Sequence, residues 1–418
     1  MKRPILIIMV LTGLLYADQL SESGLLLYLK DSFDRHDDKI NERLPEECRL
    51  YLGTFPRSAN IPEVLNILGR VYDQDGSYIK AFVYYLETVR LYPEAAVSGD
   101  ALEAIRSILQ KKATGDFEGF SAKIVAYLSK DPSESTLSGR FRSYLDFLHT
   151  LDHEDINPLL IDQIIFYIHA FDQDVESLDE LLYWTAGLYK TQRDRIEAMM
   201  AYQKIMYLTP ESPLIPQVLF DLAWLQYNDM GRYSEARNNF IHLITDYPDQ
   251  DIAGDAQFYL AELYQNKLDK PGEAMTNYRL LIKAYPANKH AVEALKRMAG
   301  MHYNADEFEK AINVYEEIFD NYRTDPYAPE ALSEIEGIYR KKLNDYGHAA
   351  ETLLKLADSY PDREDTPEVY YDAADMYRDE LNDQQKAIQI LKVIIEKYPE
   401  SRYADKAEDD IQEMEQQP

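Results

Sequence analysis

The sequence is poor in cysteine, in turn-forming residues and in positive charge. Cys48 is the single cysteine among 418 residues, so no intramolecular disulfide can staple the chain and folding does not depend on oxidation. Glycine (16) and proline (19) are modest for this length, which argues for helices joined by short loops. Lys and Arg total 44 against 74 Asp and Glu, a net charge of −30. Nucleic acids and anionic headgroups are bound through basic patches and counterion release, so a polyanion is set against both. Nucleic-acid binding is therefore excluded, and membrane association is expected at most through partners. With 46% hydrophobic residues the chain is nevertheless no disordered acidic tail.

Motifs for chemistry are also missing. There is no GxxxxGK[ST] phosphate loop, no GxGxxG after a strand, no HExxH and no GxSxG elbow. Cys48 lies in Glu-Glu-Cys-Arg, where the two carboxylates would raise a thiol pKa, which suits no nucleophile. His149 and His153 share the spacing of a two-histidine zinc half-site, but no third ligand accompanies them. Asp73, Asp75 and Ser77 imitate the start of a calcium loop, yet Tyr84 stands where the bidentate Glu belongs. The cluster Asp249, Asp251 and Asp255 follows a Tyr-Pro stop and reads as a turn. No catalytic residue, metal site or cofactor is expected.

Near the start, Lys2 and Arg3 precede an apolar run from Ile5 to Leu15, followed by Tyr16, Ala17 and Asp18. A charged beginning, a run too short to span a bilayer and a small residue together predict a signal peptide over 1–17, cleaved near Ala17. Leu15 departs from the usual small residue two positions earlier, and no cysteine follows to carry a lipid. The alternative is an uncleaved first helix of a cytosolic protein; the run's lack of a helical polar face opposes it.

What the chain does contain is periodicity. Tyr-Pro recurs at 92–93, 247–248, 285–286, 360–361 and 398–399, with degenerate forms at Phe55-Pro56, Asp131-Pro132, Phe171-Asp172, Thr209-Pro210 and Tyr322-Arg323. Successive steps measure 37 to 40 residues, a period in the range of helical repeat arrays. Within a step the pattern is Gly69, Tyr72, Ala81, Tyr85, Pro93; it recurs as Ala186, Tyr189, Ala198, Tyr202, Pro210. With one inserted residue it recurs as Ala261, Tyr264, Ala274, Tyr278, Pro286. Further copies run from Glu336 to Pro361 and from Ala374 to Pro399. Residues three or four apart share a helix face, so the small residue and the Tyr after it line one stripe of a first helix A. Ala81 or Ala274 is the matching notch on helix B. Tyr85 and Tyr278 are expected to plug the gap toward the next repeat, and proline stops helix B.

This frame resembles the tetratricopeptide repeat over nearly all the chain after the signal, with a weak match between Glu94 and Asp172. The resemblance implies an all-α, right-handed α-solenoid of helix–turn–helix repeats with a period near 38 residues. The expected division is a signal at 1–17, an N-terminal helical cap at 18–55, partly degenerate repeats at 56–175, regular repeats at 176–399 and an acidic capping helix at 400–418. Stacked repeats bury each other's faces and need polar caps at the ends.

In tetratricopeptide proteins ligands lie on the concave surface of the A helices. Carried onto this sequence, those positions hold Tyr183 and Lys190; Phe220, Trp224 and Tyr227; Phe258, Glu262 and Gln265; Lys296 and Tyr303; and Tyr371, Asp375 and Arg378. Aromatic side chains offer wide contact at low entropic cost, so Tyr183, Phe220, Trp224, Tyr227, Phe258, Tyr303 and Tyr371 are the candidate partner-binding residues. Their competing role is packing between neighbouring A helices. Asn66, Arg70 and Asp73 lack the companions of the family's carboxylate clamp. The Tyr-Pro variant and signal-like start look like bacterial envelope tetratricopeptide proteins, such as the scaffold of the outer-membrane β-barrel assembly machinery and the Tol-Pal-associated periplasmic repeat protein. The resemblance implies a non-enzymatic, periplasmic or otherwise exported scaffold that binds envelope proteins or peptides. A non-catalytic binder of glycan or peptidoglycan, and a cytosolic adaptor, are the alternatives.

Overall fold

The computed structural model describes residues 21–35, 37–111, 117–130, 134–171 and 175–416. The signal expected at 1–17 and the turns expected at Asp131-Pro132 and Asp172 lie outside them. Among the described residues all regular structure is helical, as the scarcity of turn formers implies. The chain divides into two compact units, Met1–Ile215 and Pro216–Pro418.

Unit 1 opens with α1 (Glu22–Asp34), the short α2 (Asp38–Asn41) and α3 (Leu44–Thr54). The Glu22 carboxylate accepts hydrogen bonds from Ser58 at 2.6 Å and Asn60 at 2.9 Å, tying α1 to the loop after α3. The helices α4 (Ile61–Gln74) and α5 (Tyr78–Leu91) then form the first hairpin of the repeat frame. Here the small residue of the frame has a physical reason: a Cβ added at Gly69 would stand 2.5 Å from the Tyr85 ring. Tyr85 therefore fills the notch of its own hairpin, not a gap toward the next repeat. Tyr278 does the same in unit 2, its ring beside Phe258 and its hydroxyl donating to Gln265 at 2.9 Å.

Beyond α5 follow α6 (Ser98–Lys111), α7 (Phe117–Leu128), α8 (Leu137–Leu151) and α9 (Asn157–Phe171). This is the stretch where the frame is weak, and the packing departs from next-neighbour stacking. The helix α8 lies against α5: the buried Tyr144 hydroxyl donates to the Val83 carbonyl at 2.7 Å, and Arg140 caps the Leu91 carbonyl at 3.0 Å. The helix α9 reaches back as well, with Gln163 donating to Glu87 at 2.7 Å and Arg57 donating to the Ala170 carbonyl at 3.2 Å. Unit 1 closes with a regular hairpin, α10 (Leu178–Thr191) and α11 (Arg195–Leu208).

Unit 2 is a run of such hairpins. Its helices are α12 (Ile215–Trp224), α13 (Tyr233–Asp246), α14 (Asp251–Asn266), α15 (Pro271–Ala284), α16 (Ala291–Asn304) and α17 (Phe308–Asn321). They continue as α18 (Ala328–Ile338), α19 (Tyr346–Ser359), α20 (Thr366–Asp379), α21 (Gln384–Lys397) and α22 (Arg402–Gln416). From α13 onward each packs on the next, and one core runs through Ala261, Tyr278, Ala299, Ile318, Ala349, Ala374 and Ile394. The final helix α22 buries Tyr403, Ala407, Ile411 and Met414 while Asp405, Glu408, Asp409, Glu413 and Glu415 face solvent.

Two local rules repeat along the chain. The residue at the A-to-B turn is left-handed at Gly76, Arg193, Gly231, Asp269, Asp306, Asn344 and Asn382. Gly, Asn and Asp visit that region at small cost, whereas Arg193 is strained there. The next residue's amide closes the turn. Where the two small residues of the frame are 12 apart, the bond spans five residues, as from Asp194 to Tyr189 and from Glu307 to His302. Where they are 13 apart it spans six, as in Arg232 to Gln226, Lys270 to Tyr264 and Asp383 to Tyr377. In the Arg232 to Gln226 turn, and in the equivalent turn from Asp345 to Tyr339, the widening takes the form of a π-helical turn, Leu225–Asp229 and Tyr339–Leu343. The inserted residue of the sequence is thus absorbed at the end of helix A.

Candidate functional site

The aromatic positions expected to bind partners fall into different surroundings. In unit 2, α12 projects Phe220 and Trp224 from one face, and the π turn that follows carries Tyr227 beside them. Trp224 meets Tyr227 at 5.8 Å between ring centroids and meets Tyr259 of α14 edge-on at 4.6 Å. Phe220 lies 5.9 Å from the same Tyr259. All four rings are half-buried, so they pack between A helices and still present an edge to solvent. The packing role expected as the alternative is met here, and part of each ring stays accessible.

Phe258 does not join them. It is 4% exposed and stacked on His290 at 4.4 Å, so it belongs to the core of unit 2 and offers no surface. Its neighbour Tyr259 takes the position instead. Counting three back from Ala261 misses this by one residue, because α14 turns Phe258 toward Tyr278.

Charge continues from the rings along unit 2. Glu262, one turn beyond Phe258 on α14, pairs with Arg297 of α16 at 3.3 Å, and Arg297 also binds Glu293 at 2.9 Å. Burial lifts the Glu262 carboxyl above its usual range, against the pull of Arg297. The Tyr227 phenol is likewise raised by burial, with Glu262 adding to the effect. Lys296 lies over the Tyr327 ring at 4.2 Å.

The remaining expected residues stand apart. Tyr303 packs on Phe308 with Lys342 above it at 5.1 Å. Tyr371 is held by the last helix, its hydroxyl donating to Asp410 and its ring 5.3 Å from Tyr403. Gln265 accepts from the Tyr278 hydroxyl and Arg378 pairs with Asp375, Asp379 and Asp410. In unit 1, Tyr183 lies 5.9 Å from Tyr202.

The metal look-alikes are structural. His149 stacks flat on Trp184 at 4.1 Å, and burial lowers its pKa. His153 accepts the Asp155 amide at 3.1 Å. Asp75 accepts from Ser77 at 2.8 Å within the α4–α5 turn, and Asp255 pairs with Lys289 at 2.7 Å. Among the described residues no group of three His, Cys, Asp or Glu side chains is placed to hold a metal ion. Burial, with a smaller push from Glu47, raises the Cys48 thiol to about 12. No helix among the described residues is long and apolar enough to cross a membrane.

The left-handed turn residues recur every 37 or 38 residues from Arg193 to Asn382. Residues 217–249, 255–288 and 368–401 match the tetratricopeptide repeat. These segments are tetratricopeptide repeats. Repeats of this kind build scaffolds for contacts between proteins. No curated protein matches the sequence. Among solved structures, PilF of Pseudomonas aeruginosa is similar at 16% identity, covering 55% of this chain and 95% of its own, with a TM-score of 0.35. PilW, described as a widely conserved type IV pilus biogenesis factor, is similar at 14% identity over 56% and 99%, with a TM-score of 0.30. YrrB, described as a TPR protein with an unusual peptide-binding site, is similar at 18% identity over 49% and 95%, with a TM-score of 0.32.

Proposed function

We propose that this chain is an exported scaffold of the bacterial cell envelope whose unit 2 holds an extended segment of a partner protein on the aromatic cluster of α12 and α14. One observation carries the reading. Phe220, Trp224, Tyr227 and Tyr259 keep their rings together yet half-exposed, next to the partly buried carboxylate of Glu262. Flat rings give contact area with few rotamers to freeze, and their faces attract a cation. The segment that fits is apolar with a Lys or Arg beside its anchor. A net charge of −30 steers such a partner toward the chain. Export rests on Lys2, Arg3 and the run Ile5–Leu15.

The chain supplies its own reporter. It has two tryptophans, so Trp184→Phe leaves Trp224 alone to fluoresce. Saturable quenching of Trp224 by a peptide mixing Leu, Phe and Arg, weakened by Glu262→Gln, supports the groove. Loss of binding in a Trp224→Ala, Tyr227→Ala double variant must come with unchanged helicity; equal loss of both would show the rings to be core and sink the reading. For export, recovery of the uncleaved chain from the cytosol would contradict the signal.

A further inference from the structure

The outward face of α11 is apolar in a way no other helix shares. Among the described residues nine large apolar side chains are exposed, and four of them lie on this one helix: Ile196 at 45%, Met200 at 47%, Tyr207 at 85% and Leu208 at 60%. Spacings of four and seven put Ile196, Met200 and Tyr207 on a single line. The opposite line, Ala198, Tyr202 and Ile205, is buried in the hairpin. Isolated exposed apolar residues need no explanation, but a stripe along a helix marks a contact surface. Glu197 and Lys204 flank the stripe on one side, both exposed. Among the described residues neither has an ion-pair partner.

We propose that α11 is a self-association surface, on which a second copy of this chain docks its own α11 antiparallel about a two-fold axis at Met200. A two-fold contact must be complementary to itself, each residue pairing with its mirror position. An antiparallel pair centred between Met200 and Ala201 sets Met200 against the second Met200 and Ile196 close to the second Tyr207. The same register sets Glu197 of each copy opposite Lys204 of the other. Because the axis lies across the helices, both members of each pair fall on the same side of the seam. The stripe and the flanking charges thus agree on one register, which nothing about a solvated face requires. Only one helix contributes, so the interface falls at the small end of specific contacts, below about 1,200 Å² in total. The −30 charge of each copy opposes approach, and salt screens that repulsion over about 8 Å. This inference is independent of the partner groove on unit 2.

Sedimentation velocity of the full chain over a rising concentration series tests it, at low and at physiological salt. The expected result is a monomer–dimer equilibrium that tightens as salt is first added. Met200→Glu puts two carboxylates together at the axis and should leave only monomer, with the thermal melt unchanged because the residue is exposed. Lys204→Glu should weaken the dimer by about tenfold, and Glu197→Lys combined with Lys204→Glu should restore it. A chain monomeric at every concentration overturns the proposal. So does a dimer insensitive to Met200→Glu, or one that the charge exchange fails to rescue. A monomer that co-sediments with lipid vesicles through this stripe would assign the face to a membrane surface instead, and equally overturns it.

Discussion

The Tyr322 hydroxyl donates a hydrogen bond to the carbonyl of Pro286 at 2.9 Å, joining the ends of two successive B helices. The bond is one of a series: Tyr285 to Pro248 at 2.9 Å, Tyr360 to Arg323 at 3.1 Å and Tyr398 to Pro361 at 3.1 Å. The Tyr-Pro signature is therefore a clasp between repeats. Proline stops the helix, and the carbonyl it leaves free receives the tyrosine of the next repeat. Removing one hydroxyl with Tyr322→Phe keeps the ring and should cost about 0.5–1.5 kcal/mol. Tyr360→Phe should cost about the same, and the two should add only partly because neighbouring repeats couple. Denaturant unfolding followed by circular dichroism measures both; no change in either variant would show the clasp to be solvent-compensated.

At Arg193 the A-to-B turn sits at φ 63° without the glycine, asparagine or aspartate found at equivalent positions. A β-carbon there costs about 1–2 kcal/mol, part of which glycine returns as lost backbone entropy. Arg193→Gly should stabilise unit 1 by about 0.5–1 kcal/mol. The complementary change Gly231→Ala, at φ 66°, should destabilise unit 2 by a similar amount. Thermal melts of the two variants should move in opposite directions.

Gly69 tests the notch. With a Cβ placed 2.5 Å from a Tyr85 ring that is itself fully buried, Gly69→Ala must push helices α4 and α5 apart. A loss of about 1–3 kcal/mol is expected despite alanine's better helix propensity. Pairing it with Tyr85→Leu should recover part of the loss. A Gly69→Ala protein as stable as the parent would mean the ring moves aside freely.

Glu87 gives unit 1 a pH dependence of known sign. It is 2% exposed, and burial raises its carboxyl to about 8, with the Gln163 amide pulling the other way. Tyr84, Tyr92 and Tyr144 surround it and offer no cation. The Gln163 Oε1 is buried without a partner, and a protonated Glu87 is a donor within reach of that amide. Because the folded value lies above the unfolded one, the group's stabilising contribution is fully present below the unfolded value, about pH 4.3. It is lost as pH rises through about 8. Glu87→Gln should flatten this slope and raise the melting temperature of unit 1 at neutral pH. An unchanged slope would place the titration elsewhere.

The helix pairs and their small-residue notches were legible because each follows from spacing: three or four residues make a face, and twelve or thirteen make a hairpin. The insertion between Ala261 and Ala274 was visible as a count, while the wider turn that absorbs it at Tyr264 to Lys270 is backbone geometry no side chain announces. Tyr in Tyr-Pro read as punctuation since its partner, the Pro carbonyl of the preceding repeat, is a backbone atom. The contacts of α8 and α9 with α5 escaped because Val83, Glu87, Tyr144 and Gln163 are joined by packing and not by period. In the aromatic cluster, Trp224 and Tyr227 lie side by side, as residues three apart on a helix do, but the choice between Phe258 and Tyr259 depends on a rotation of α14 that a fixed offset cannot carry.

The central claim is that the aromatic edge of unit 2 holds a protein partner. The most direct measurement incorporates a photocrosslinking amino acid at Tyr227 or at Leu280, an exposed apolar position on helix B outside the cluster, and irradiates intact cells. The account predicts a discrete crosslinked partner from position 227 that disappears with Trp224→Ala, and none from 280. Equal crosslinking from both positions, or capture at 227 that survives Trp224→Ala, would contradict it.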